Sequence, residues 1–152
     1  MTIGELRRIT VTPTLDTAAY AAGDQISTLQ TINRALSPHG GEIILITVLD
    51  KAAQSNPLDL FFFKSTVTVA ADNAAFTITD AHMLECIGVV NILAADYDAV
   101  GSASSFATVQ LKFPIMFSNG SDKMFMAIVA RTSGPDYDAD SLVFSFVTEG
   151  RD

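Results

Sequence analysis

The chain has one cysteine, Cys86, and two histidines among its 152 residues. An intrachain disulfide is thereby excluded, as is a zinc site of spaced thiolates, and a transition-metal centre has few imidazole or sulfur donors to draw on. Basic residues are also scarce: nine lysines and arginines stand against seventeen aspartates and glutamates, for a formal charge of −8. Only Arg7 and Arg8 adjoin each other. Phosphate backbones and anionic lipids both require clustered positive charge, so neither nucleic acid nor a membrane is an expected partner. No apolar run approaches the ~20 residues that span a bilayer, and Met1 to Arg8 is polar where a secretory signal would be apolar. The expectation is a soluble protein made in a cytoplasm.

What is present argues for a packed body. Hydrophobic residues make up 49% of the chain and charged ones only 17%, which separates it from disordered sequences. At this length one domain over residues 1–152 is expected, burying about 70% of the surface of the unfolded chain. The acids are dispersed singly, as a solubilising surface rather than a tail.

Apolar residues recur with period two, the signature of half-buried strands. Val109, Leu111, Phe113, Ile115 and Phe117 share one face of 106–117, with Thr108, Gln110 and Lys112 on the other, and Pro114 marks an edge or bulge. Leu142, Phe144 and Phe146 repeat the design, as do Ile9 with Val11, Val67 with Val69, and Phe76 with Ile78. Ile43 to Leu49 and Met124 to Ala130 are apolar on both faces, which predicts central strands covered on each side or strands at a subunit contact. Strands are predicted near 6–12, 25–32, 42–50, 58–69, 75–78, 87–94, 106–117, 123–131 and 142–149, the spacing of an all-β sandwich or jelly roll. The expected core includes Ile44, Ile46, Leu60, Phe62, Val109, Leu111, Phe113, Ile128, Phe144 and Phe146. One short helix near 80–86, capped by Thr79 or Asp80, interrupts the strands. Asp16 to Ala22 is read as a structured loop, being too short for a stable helix.

Candidate chemistry is sparse. His82 and Cys86 lie four apart, so a helix would bring imidazole and thiol to one face, as for a cysteine nucleophile and its base. No orienting third group or oxyanion donor accompanies them, and Cys86 reads as a buried small hydrophobe. No catalytic or cofactor-binding residue is assigned, and the chain is read as a non-enzyme without cofactors. His39, in a Pro-His-Gly-Gly turn, reads as a solvated loop residue, and Asn119-Gly120-Ser121 as a tight turn rather than a glycosylation site. Asp136, Asp138 and Asp140 have the alternating spacing that lets carboxylates converge on a hard cation. An EF-hand loop would need glycine and glutamate where Ser141 and Val147 stand, which leaves a different Ca²⁺ loop or a solvated acidic loop. All three tyrosines, Tyr20, Tyr97 and Tyr137, fall in predicted loops beside acids. They are either exposed contacts for a protein or glycan partner, or caps on the end of the core.

The stretch Ile9-Thr10-Val11-Thr12-Pro13-Thr14-Leu15-Asp16-Thr17, followed by Tyr20, Gly23 and Asp24, resembles a family of small virion proteins of tailed bacteriophages. Ile43 to Asp50, Leu58 to Phe62 and Asp72 to Ile78 are similar as well, so the likeness covers about two thirds of the chain. It implies a β-sandwich or jelly-roll component that decorates, or cements, the capsid exterior by binding the major capsid protein. As a consequence of that resemblance the protein is expected in the virion and as a homotrimer, self-association being expected also from the two-sided apolar runs 43–49 and 124–130. Because a terminal strand can extend a neighbour's sheet, residues 1–12 are the expected N-terminal arm or edge strand, with Arg7, Arg8, Ile9 and the tyrosines as partner contacts. Rival expectations are a tail- or fibre-associated binding module and a Ca²⁺-dependent jelly-roll sugar-binding or enzyme domain.

Overall fold

The computed structural model describes residues 6–33, 41–115 and 123–150. Among these residues nine strands form two antiparallel sheets: β1 (Leu6–Val11), β2 (Gln25–Ile32), β3 (Gly41–Asp50), β4 (Leu58–Phe63), β5 (Cys86–Ile92), β6 (Tyr97–Val100), β7 (Ser104–Ile115), β8 (Met124–Ala130) and β9 (Leu142–Gly150). The five-stranded sheet runs β1-β9-β3-β7-β6 and the four-stranded sheet β2-β8-β4-β5. With β6 set aside, the remaining eight strands have the interleaved order of a double Greek-key jelly roll, in which almost every connection passes from one sheet to the other.

Register follows the side-chain period. Ile46 faces Val109 and Phe146, and Val48 faces Ala107 and Phe144, so one face of three neighbouring strands is apolar throughout. Against it pack Leu58, Leu60 and Phe62 of β4 and Met124, Met126 and Ile128 of β8, all fully buried. The Phe62 ring stands edge-on to Phe146 at 6.0 Å and tilted against Phe113 at 5.2 Å. Most of the expected core is thus in place. Ile44 is an exception: the β3 register shifts between Ile43 and Leu45, and Ile44 stays half-buried while Ile43 takes the inward position. Val109, Leu111 and Phe113 point inward but are only half-buried.

The segment between β4 and β5 corrects two predicted strands. β4 ends at Phe63 rather than near 69, and 75–78 makes no ladder beyond a single bridge from Ala75 to Asp24. Residues 64–78 instead cross the outer face of the four-stranded sheet and return. Val67, Val69, Phe76 and Ile78 pack there on Phe61, Phe63, Phe125 and Ala127. The alternation at 67/69 and 76/78 was real, but its partner is a sheet face and not a neighbouring strand. β8 is therefore buried on both faces, one side by the core and the other by this strap.

The helix is shorter than 80–86. α1 spans Asp80–Met83, with the Thr79 hydroxyl accepting from the His82 N–H at 3.2 Å, and it buries no side chain. Without an apolar face to dock, a four-residue helix gains nothing by extending, and Cys86 is drawn into β5 opposite Phe63. Asp16 to Ala22 forms no helix, as expected, and lies within an irregular loop over 12–24.

Candidate functional site

The loops following β1, β3, β5 and β8 gather at one end of the sandwich, and all three tyrosines lie there. Backbone hydrogen bonds join the loops: Leu15 N–H to Ala139 O (2.8 Å), Tyr20 N–H to Pro135 O (3.0 Å), Gly134 N–H to Tyr20 O (2.9 Å) and Lys51 N–H to Ser141 O (2.8 Å).

Two acids organise this end. Asp72, at the far turn of the strap, accepts from the Tyr20 hydroxyl (2.8 Å) and the Ser27 N–H (2.6 Å) through one carboxylate oxygen. Ser27 sits at φ 68°, a left-handed conformation that breaks the β2 register between Ile26 and Gln30, and the Asp72 bond holds it there. The Tyr20 oxygen in turn accepts from the Asp16 N–H (2.9 Å), and Asn73 donates to the Asp16 carboxylate (3.1 Å). The N–H of Ala18, and then Asn73, hold the Asp16 carboxyl below its ordinary range.

Asp50, fully buried at the end of β3, grips the following loop by accepting from the Ala52 and Ser55 N–H groups, both at 2.9 Å. Ala53 and Ser55 are left-handed at φ 51° and 50°. Tyr97 and Tyr137 lie within electrostatic reach of this carboxylate; burial first, and its charge in addition, push both phenols up. The Tyr97 hydroxyl donates to Asn56 O at 3.0 Å, and the Tyr20 and Tyr137 rings tilt against each other at 6.2 Å.

The structure therefore overturns the exposed-contact expectation for the tyrosines. Tyr20 and Tyr137 are almost completely buried and Tyr97 is half-buried, because each ring caps the core; Asp72 holds the Tyr20 hydroxyl, the Asn56 carbonyl holds that of Tyr97, and the Tyr137 ring rests against Tyr20. Sequence reasoning missed Asp50 and Asp72. The signal available for Asp50 was an aspartate closing a long apolar run, where its carboxylate caps the next turn.

The other candidates are not brought together. Asp136, Asp138 and Asp140 are exposed, on either side of buried Tyr137, and among the described residues no three His, Cys, Asp or Glu side chains form a group that could hold a metal ion. His82 is in α1 and Cys86 in β5, so the shared helical face does not exist; the His82 Nδ1 accepts from the Thr68 N–H at 3.2 Å, and burial pushes the Cys86 thiol up, away from the thiolate a nucleophile needs. His39 and Asn119-Gly120-Ser121 lie outside the described residues.

Arg7, Arg8 and Ile9 lie on β1, which among the described strands pairs with β9 alone and forms one edge of the five-stranded sheet. Arg8 reaches Ser145 Oγ at 3.4 Å, and Ile9 packs against the core. Of the expected arm, residues 6–11 are thus an edge strand within the chain's own sheet, and residues 1–5 lie outside the described ones. At the opposite edge, β6 pairs with β7 only along Ser104 to Ala107. No described helix is long and apolar enough to cross a membrane. No family model matches the chain, and no curated protein does.

Proposed function

We propose that this protein is a structural virion component that decorates the exterior of a tailed-phage capsid and binds the major capsid protein as a homotrimer, without catalytic activity. One observation carries the proposal. The three tyrosines of the loop end, with Asp50 and Asp72, are turned inward, so that beside the exposed acids of 136–140 the strand edges and the outer face of the five-stranded sheet are the surfaces available to a protein partner. Strand edges offer backbone donors and acceptors without requiring a pocket, which suits a small rigid body fixed to a larger shell. The resemblance of residues 9–24, 43–50, 58–62 and 72–78 to phage virion proteins points the same way, and the charge of −8 suits a surface that does not take up packaged DNA.

Self-association draws its support from the five-stranded sheet alone. Leu45, Leu49, Phe106, Val143 and Val147 point outward from it and are only half-buried, whereas the second apolar face of β8 is occupied by the strap. The test is co-sedimentation of the purified protein with capsids assembled without it. Saturable binding at a fixed ratio to the major capsid protein is the expected result. A monomer in sedimentation equilibrium that also stays in the supernatant would sink the proposal.

A further inference from the structure

The two lateral sides of the sandwich are finished differently. On one side β1 lies beside β2. On the other, β7 is paired along its whole length with β3 but only as far as Ala107 with β6, so that from Thr108 to Ile115 no described strand pairs with its second edge. This open stretch spans about 26 Å at ~3.3 Å per residue. Beneath it runs β5, itself the edge strand of the other sheet, with Gly88 against the Phe113 ring and Ile87 half-buried.

The side chains record the missing neighbour. Val109, Leu111 and Phe113 face the core from β7 yet remain half-exposed, while Ile43 and Ile46, their neighbours on β3, are fully buried. β5 differs: its inward Val90 and Ile92 are already buried, and of its apolar side chains on the core only Ile87, next to Gly88, is still half-exposed. β1 already lies beside β2, and β2 is broken at Ser27, so neither offers a continuous free edge. Charge narrows the partner. In a chain of charge −8, the only charged side chain on β5 and β7 is exposed Lys112.

We infer that the open edge of β7 from Thr108 to Ile115 is a docking slot for one extended strand of a partner protein, apolar at alternate positions and carrying an acidic residue opposite Lys112. The strand would lie end to end with β6, take up the free backbone groups of β7, and place its apolar side chains over Leu111 and Ile87. Its outward acid would pair across the ladder with Lys112. The inference rests on the binding role proposed above and assigns that role a surface; it does not depend on the partner being a capsid.

The probe is an eight-residue peptide alternating valine and threonine, with glutamate replacing one central threonine, titrated to millimolar concentration into the isotope-labelled full chain. Amide shift changes and slowed exchange should be confined to 108–113 and 115, Pro114 having no N–H, with the Phe113 ring signals moving as well. Lys112→Glu, at an exposed position, should reverse the preference between this peptide and its lysine counterpart by about two- to fivefold, the size of one cross-strand charge pair. No response to the peptide, a response confined to β1 or β5, or an unchanged preference in Lys112→Glu would each overturn the slot. If wild-type protein binds capsids and the peptide fails to compete, the slot falls and the decoration role stands. If the slot takes the peptide and capsids are not bound, the reverse holds.

Discussion

The two sheets of this sandwich treat their outer faces in opposite ways. The four-stranded sheet presents Phe61, Phe63, Phe125 and Ala127 outward, and residues 64–78 fold back over them to make a second buried cluster. The five-stranded sheet presents Leu45, Leu49, Phe106, Val143 and Val147, separated by a polar row of Thr47, Thr108 and Ser145, and these apolar side chains stay half-exposed. Two-sided apolarity in a strand therefore has two meanings. In β8 it marks a strand sealed by its own chain, and in β3 it marks one whose outer side still meets water or a partner. The strap is a poor ladder but a good lid, because anchors at its two ends replace hydrogen bonds along it: Ser65 and Lys64 to Glu85 at one end, and Asp72 and Asn73 to the loop end at the other.

This contrast can be broken by experiment. Phe63→Ala, beneath the strap, should lower unfolding free energy by about 3–5 kcal/mol in a denaturant titration. A loss under 1 kcal/mol would mean that the lid is not packed. Asp72→Ala frees the far anchor and removes two hydrogen bonds to a carboxylate, a loss of about 2–3 kcal/mol, and hydrogen exchange should quicken in 64–78 and at Ser27 ahead of the sheets. Gly88→Ala probes the side of the sandwich instead: its Cβ would come within 2.8 Å of the Phe113 ring, so a loss of about 1–3 kcal/mol is expected as that ring moves toward the open edge. Val147→Thr, on the bare outer face, should change stability by no more than about 0.5 kcal/mol in the free protein. The same change should weaken self-association measured by sedimentation, which would separate an exposed face from an interface.

Much of the body was legible from period-two patterning. Phe144, Phe146, Leu60 and Phe62 alternate inward as expected, because register on a buried face tolerates no slip. Pro114 fits the open edge and the shifted register it signalled, since a residue without an N–H can sit where no neighbour needs one. What failed did so for local physical reasons. Strands at 64–69 and 75–78 have the right alternation, but periodicity reports which side of a segment is buried and not what bonds its backbone. β6, at Tyr97 to Val100, escaped notice because it has only four residues and none fully buried. The sequence leaves the tyrosines open between exposed contact and cap, because flanking aspartates suggest water; the cap holds, since Asp72 takes the Tyr20 hydroxyl directly and Asp50 is itself buried near Tyr97 and Tyr137. A buried acid that satisfies itself on the backbone N–H groups of its own loop leaves little trace in composition.

The pairing of β1 with β9 sets the order in which the molecule can be completed. Leu6 lies opposite Glu149 and Val11 opposite Phe144, so the first described strand waits for nearly the whole chain before it finds its place. The four-stranded sheet lacks only β8 once residues up to 92 exist, and β4 with β5 can pair early around their strap. During synthesis at about 5–20 residues per second, β1 would thus remain unpaired for roughly 7–28 s, during which Ile9 and Val11 have no sheet to cover them. Pairings of such sequence separation fold slowly, so refolding from denaturant should be limited by closure of the five-stranded sheet.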